Sequence, residues 1–237
     1  MENTPVTTQK IKVFAYSHNF FEDQAWANNK LVCGLDEAGR GALAGPVVVA
    51  AVVLPPHATH PLLRDSKTMS AKQRNEAYAW ITKKCTYTVI AGSHTLIDTI
   101  NIYQATKACM QQAFATLLTH HNLAQQTAFV VSDAMPLILN SEHTKQNIEH
   151  FHFNYGESIS ATIAAASIIA KVTRDALMER LGLHFPAYNF AQHKGYGTAE
   201  HLARLREHGP SLIHRTTFTH GYQQTVLTPL KQENLFI

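Results

Sequence analysis

Residues 30–56 read KLVCGLDEAGRGALAGPVVVAAVVLPP, and the architecture is worked out from this stretch. Leu31 to Leu35 is a short apolar run that ends in Asp36-Glu37, after which Gly39, Gly41 and Gly45 punctuate a turn. Pro46 to Leu54 is dense in valine and closed by Pro55-Pro56, the composition of a second, largely buried strand. The glycines do not form a dinucleotide-binding loop. The third falls one position late, with Ala44 in the expected place, and a valine-rich strand follows where a helix N-terminus is needed to meet a pyrophosphate.

Further along, Ser70 to Lys83 has helical character and Thr86 to Gly92 reads as a third strand. Asn101 to His121 carries Ile102, Ala105, Cys109, Ala113 and Leu117 at helical spacing. Ala128 to Val131 is a strand ending at Ser132-Asp133, and Ile148 to Phe153 is a fifth. Ser160 to Leu181 is a helix whose Ala161, Ala164, Ala165, Ala166 and Ser167 permit close approach to a neighbour. A glycine-rich polar segment follows Pro186, then a short helix from Thr198 to His208, and no strong pattern after Phe218. Strands first, then alternating helices and strands, imply a mixed α/β sheet with a helical C-terminal part. Residues 1–30 are expected to be a loosely attached lead-in, 31–220 the main domain and 221–237 a flexible tail.

The 237 residues are 45% hydrophobic and 16% charged, a globular balance for one domain plus an appendage. A formal net charge of +3 permits a polyanionic partner without demanding one. Cys33, Cys85 and Cys109 form no CxxC pair and no disulfide framework, which suits a reducing compartment. No apolar run reaches the length of a membrane span, and Lys10, Lys12, His18 and Glu22 interrupt any signal-peptide core. A cytoplasmic protein with no membrane partner is expected. Among the fifteen histidines, His57/His60 and His150/His152 lack the Cys pair or HExxH that a zinc site needs.

Asp36 and Glu37 close the first strand and Asp133 closes the fourth. Chemistry gathers beyond strand ends in α/β sheets because side chains there are rigidly held yet face solvent. Acids brought together repel and raise one another's pKa unless a cation neutralises them, and oxygen-only ligation suits Mg²⁺ or Mn²⁺. A single strand-end Asp is more often an ordinary loop carboxylate, so position alone leaves both readings open.

The surrounding residues are more specific. Gly34-Leu35-Asp36-Glu37-Ala38-Gly39-Arg40-Gly41, continued by Leu43-Ala44-Gly45-Pro46-Val47, resembles the opening signature of the ribonuclease HII family. Asp65-Ser66-Lys67 and Ile97-Asp98 with Asn101-Ile102 resemble its second and third motifs. Ala164 through Asp175, Ala191 through Thr198, and His208-Gly209 with His214-Arg215 and Phe218 resemble the later ones. These matches keep family order across residues 21–220.

The resemblance implies a ribonuclease H-like mixed sheet flanked by helices, and a metal-dependent endoribonuclease using Mg²⁺ or Mn²⁺. Its substrates would be RNA–DNA hybrids and single ribonucleotides embedded in duplex DNA. Cleavage would fall 5′ to the ribonucleotide and leave a 3′-hydroxyl and a 5′-phosphate. The family has four acidic ligands, and Asp36, Glu37 and Asp133 carry over directly. The fourth is an Asp in a Lys-Gly-Asp or Lys-Ala-Asp element, which reads Tyr155-Gly156-Glu157 here; the carboxylate sits on a longer arm and the Lys is lost. Ala134 stands where the bacterial pattern usually has Gly. Asp175 as a substitute ligand is disfavoured by Lys171 one turn earlier, which marks it as an ion-pair partner.

The same resemblance gives the substrate-binding set. Gly39, Arg40 and Gly41 would bring backbone groups to the ribose 2′-hydroxyl, with Tyr196 packed on the sugar. Lys67, Lys194 and Arg215 would contact phosphate, and Asn101 belongs to the same set. Glu157 and Tyr155 keep an alternative open, a nucleic-acid-binding protein of this fold with weakened catalysis. Near the end of the chain, Gln232, Leu235 and Phe236 resemble the Gln-x-x-Leu-Phe peptide that docks on bacterial sliding clamps.

Overall fold

Both faces of the valine-rich strand β3 (Val47–Val53) are covered, and all seven of its residues are buried. Val47, Val49, Ala51 and Val53 pack with α3 (His94–His121). Ala50 and Val52 pack on the other side, with α2 (Ala71–Lys84) and α4 (Ala161–His184). Strand alternation therefore feeds two cores from one sequence run. In the computed structural model, residues 9–10, 17–123, 125–137 and 148–222 are described.

The remaining strands are β1 (Gln9–Lys10), β2 (Leu31–Ala38), β4 (Thr86–Gly92), β5 (Thr127–Asp133) and β6 (Glu149–Phe153). Among the described residues, β1 to β6 form one sheet of six strands in the order β1–β6–β5–β2–β3–β4. β2, β3 and β4 are an antiparallel meander, while β5 runs parallel to β2, and β6 and β1 continue that parallel half. The expected mixed α/β sheet flanked by helices is what the chain forms.

The alanine-rich face of α4 crosses β2 at backbone contact. A Cβ placed on Gly34 would lie 2.4 Å from the carbonyl carbon of Thr162, so only glycine admits the helix there. Beyond α4, the short helices α5 (Phe190–His193), α6 (Ala199–His208) and α7 (Thr216–Thr219) make the helical C-terminal part. Ala44, Met178, Tyr188, Phe190 and Leu205 form its core, which packs this part onto the loop after β2.

Three differences from the sequence reading have physical causes. Residues 1–30 are not uniformly a loose lead-in, because α1 (Phe20–Ala27) buries Phe21 and Ala25 among Val131, Phe151 and Phe153. Its Glu22 is 1% exposed and accepts hydrogen bonds from Ser160 Oγ at 2.6 Å, the Thr162 N–H at 2.9 Å and the Thr162 hydroxyl. A two-turn helix is too short for its periodicity to show. Secondly, α3 begins at His94, capped by Ser93, and kinks at Asn101 (φ 66°, ψ 163°). The helical spacing restarts after the kink, so the sequence shows only the second part. Thirdly, α7 spans Phe218 and a 3₁₀ turn over His220–Tyr222 continues it, so regular structure runs a few residues past the point after which the sequence shows no strong pattern. The expected tail lies outside the described residues from 223 onward. Among the described residues, no helix is long and apolar enough to cross a membrane.

Candidate active site

Parallel pairing of β2 with β5 sets Leu35 against Ser132, which brings Asp36 and Asp133 side by side at the strand ends. Alternation puts Asp36 on the same face as Gly34, toward α4, where the Ser167 hydroxyl hydrogen-bonds its carboxylate. Asp36 Oδ1 also accepts the Glu37 N–H at 2.7 Å. The Glu37 carboxylate takes a 3.4 Å contact from Arg40. Asp133 Oδ1 accepts the Gly156 N–H at 3.0 Å, which draws the 3₁₀ turn Gly156–Ser158 and its Glu157 up to the end of β5.

The four acids feel one another. Burial, with the neighbouring charges of Glu37 and Asp133, pushes Asp36 well above the ordinary carboxylate range. Burial also raises Glu37; Arg40 opposes this and Asp133 reinforces it. Glu157 is raised by burial, with Asp133 and Asp65 adding repulsion and Lys67 relieving part of it. Burial on its own would lower Lys67, but Asp36, Glu157, Asp65 and Asp133 hold its ammonium above the usual value.

These side chains fit a divalent cation. The donors are all oxygens, and Glu37 Oε2 and Glu157 Oε2 are buried without a hydrogen-bond partner. Among the described residues, no three His, Cys, Asp or Glu side chains stand close enough to hold an ion as they are placed. A cation bound there would offset the burial and the repulsion that raise Asp36, Glu37 and Glu157.

One cleft gathers Asp36, Glu37, Gly39, Arg40, Lys67 and Tyr196. Gly39 has φ +97°, and a Cβ there would meet Arg174 Nε at 1.9 Å, so the turn lies directly on that guanidinium. Sequence reading missed three contributors that lie inside the matched motifs. Ser167 lines the cleft and bonds Ser66 at 2.9 Å. Lys171 lines it too, with its ammonium 5.5 Å from the Tyr196 ring centre, and Arg174 stands 5.1 Å from the same ring. Lys171 also pairs with Asp175 at 2.9 Å, the ion pair that the spacing implies.

Three expected substrate contacts are placed elsewhere. Arg215 is fully buried and gives its N–H groups to the carbonyls of Gly39, Arg40 and Gly45 at 2.7–3.1 Å. It braces the turn from behind and offers nothing to phosphate. Lys194 turns its ammonium to Glu179 at 3.1 Å and to the Ala191 carbonyl, and does not line the cleft. Asn101 sits at the α3 kink, where its Oδ1 accepts the Gln104 N–H at 3.0 Å and caps the second part of the helix. A motif match identifies such residues without saying which way their side chains point.

The sequence profile described as Ribonuclease HII matches residues 33–221. The chain belongs to the ribonuclease HII family. Ribonuclease HII of Levilactobacillus brevis is 45% identical over 200 residues, which is 84% of this chain and 73% of that one. The structure of the PCNA:RNase HII complex from Archaeoglobus fulgidus contains a chain that aligns with a TM-score of 0.62 and 25% identity, covering 83% of this chain and 98% of that one. Ribonuclease H2 from Pyrococcus horikoshii OT3 shares the fold, with a TM-score of 0.64 and 21% identity over 81% and 97% of the two chains. Membership of this family makes the chain a metal-dependent nuclease of the ribonuclease H type.

Proposed function

We propose that the chain hydrolyses the RNA strand of RNA–DNA hybrids and cuts duplex DNA at single embedded ribonucleotides, on their 5′ side, leaving a 3′-hydroxyl and a 5′-phosphate. The observation that carries this reading is the cleft itself. Asp36, Glu37, the Gly39-Arg40 turn and Tyr196 line it together, which supports a reading in which a group that senses a ribose sits beside groups that act on its phosphate.

Asp36, Glu37, Asp133 and Glu157 would hold Mg²⁺ or Mn²⁺, which supplies a Lewis acid for the phosphoryl oxygens and an activated water. The protein's own groups do the rest. Gly39, Arg40 and Gly41 present backbone to the sugar, and their geometry is set by the Arg215 fork behind them. Tyr196 packs on the ribose and is kept upright by Arg174 and Lys171. Lys67, surrounded by carboxylates, stays protonated and attracts the phosphate backbone. A sugar lacking the 2′-hydroxyl leaves the turn's polar groups without a partner, and that mismatch is the source of selectivity.

The deciding experiment offers purified protein with Mg²⁺ or Mn²⁺ three duplexes: all-DNA, one embedded ribonucleotide, and an RNA–DNA hybrid. Cutting of the last two at the stated bond supports the reading. Binding without cutting would instead favour the weakened nucleic-acid-binding alternative.

Gln232, Leu235 and Phe236 are proposed to dock on a bacterial sliding clamp in the cytoplasm. They lie outside the described residues, so the support is their sequence, together with an archaeal relative in complex with PCNA. Deleting residues 232–237 should abolish clamp binding and leave cleavage of a short free duplex unchanged. No clamp binding by the full chain at tens of micromolar would end the idea.

A further inference from the structure

We propose that His201 and His214 form a neutral strut that sets the spacing between Tyr196 and the Gly39-Arg40-Gly41 turn, which makes both histidines positioning residues. The proposal rests on the recognition reading of that cleft given above.

Their hydrogen bonds allow one arrangement of protons. The Ser211 backbone N–H can only donate, and it points at His214 Nδ1 from 2.8 Å, so that nitrogen is bare and the Ser211 hydroxyl, also at 2.8 Å, donates to it as well. The proton of His214 is therefore on Nε2, and it is donated to His201 Nε2 at 3.0 Å. His201 Nε2 is then an acceptor, which leaves its proton on Nδ1, donated to the Tyr196 carbonyl at 2.9 Å. His193 stacks on His201 with ring centres 4.3 Å apart, and is fixed in the same way. Its Nδ1 accepts the Gly195 N–H at 3.2 Å and its Nε2–H is donated to the Tyr188 carbonyl at 2.7 Å. All three rings are buried, and burial holds His201 and His214 below the usual imidazole value, in agreement with neutral rings.

Each end of the strut is attached to the cleft. At one end, Tyr196 bridges Ala42, and the Leu43 N–H donates to the Gly195 carbonyl at 2.8 Å. At the other, His214 bridges Ala44, and the next residue, Arg215, grips the Gly39 and Arg40 carbonyls, each at 2.7 Å. The 3.0 Å bond between the rings thus links the segment that carries the aromatic ring to the segment that shapes the turn. A neutral pair suits this place, since both rings are buried and an ionised ring would lose its hydration there.

The test has a spectroscopic and a kinetic arm. Long-range ¹H–¹⁵N correlation of the imidazoles in the wild-type protein should show protonated Nε2 on His193 and His214, and protonated Nδ1 on His201. A protonated Nδ1 on His214 overturns the strut. In the kinetic arm, His201→Leu removes the donor to Tyr196, whereas His201→Asn keeps a side-chain N–H near the same place. On a duplex with one ribonucleotide, His201→Leu should lower kcat about a hundredfold, the scale of an ångström-level misplacement, with little change in KM. His201→Asn should recover most of that loss. Normal turnover by His201→Leu, or equal loss in the two variants, overturns the proposal. Tyr196→Ala separates the two layers. If it is impaired while His201→Leu is not, the strut alone fails; if it cleaves normally, the recognition reading fails and the strut's role with it.

Discussion

The Gly156 N–H donates to Asp133 Oδ1 at 3.0 Å, and this one backbone bond fastens the turn that carries Glu157 to the end of a strand that carries another acid. The longer arm of Glu157 is therefore anchored at its root and variable at its tip. Glu157→Ala should lose at least tenfold in turnover, because a charge-stabilising group is gone while the backbone bond is kept. Glu157→Asp should retain activity but shift the Mg²⁺ and Mn²⁺ concentrations that half-saturate it. Calorimetric Mn²⁺ titration checks both, and unchanged binding in Glu157→Ala would remove this residue from the ligand set.

Asp36→Asn should separate activity from stability. Cleavage should fall about a hundredfold or more, since an amide cannot supply the charge. The metal-free protein should become more stable, because a carboxylate pushed up by burial and by its acidic neighbours has been replaced by a neutral group. Urea unfolding in chelator at neutral pH reads the second effect. A less stable Asp36→Asn protein would mean that its hydrogen bonds outweigh the repulsion.

Ala134 has φ 50°, a left-handed conformation that costs an alanine about 1 kcal/mol. Ala134→Gly should accordingly stabilise the protein by roughly 0.5 kcal/mol, the remainder being offset by the freer unfolded chain. Ala134→Val should destabilise it by more than 1 kcal/mol, as expected for a β-branched residue at positive φ. Thermal melts of the two variants should move in opposite directions.

His214 supplies a pH dependence. Burial, with the nearby His201 and His193 rings, lowers its pKa from 6.5 to about 4. The unfolded chain takes up a proton as pH falls below 6.5 while the folded one stays neutral until about pH 4, so stability present above 6.5 is lost across that window. The raised carboxylates act in the opposite direction, so the histidine effect has to be read as a difference. The stability gap between wild type and His214→Gln should shrink by up to about 3 kcal/mol between pH 6.5 and pH 4. A constant gap would mean that His214 titrates normally.

Much of this could be read in the sequence, for reasons that differ from place to place. The valine run of β3 and the alanine face of α4 announce burial directly, so the sheet and its covering helix are legible. Asp36, Glu37 and Asp133 can be seen at strand ends, but that position alone leaves them ordinary carboxylates, and only the motif around them singles them out. Arg215 and Lys194 illustrate what is lost. Both stand in motifs of a nucleic-acid enzyme, yet one guanidinium is turned inward onto three carbonyls and one ammonium toward Glu179. Side-chain direction in a loop depends on tertiary neighbours that no local pattern encodes. The kink at Asn101 hid in the same way, since the first quarter of α3 precedes the point where its spacing begins.

Asp36 and Asp133 meet through a parallel strand pair, and the chain between them has to lay down β3, α2, β4 and α3 before that pair exists. Glu157 follows later still, on a turn that packs against α4. A polypeptide emerging from the ribosome therefore carries scattered acids until α4 has been made and docked on β2. On the proposed assignment, cutting power waits until α4 has been made and docked, so a copy that stops short of that point has the acids without the site.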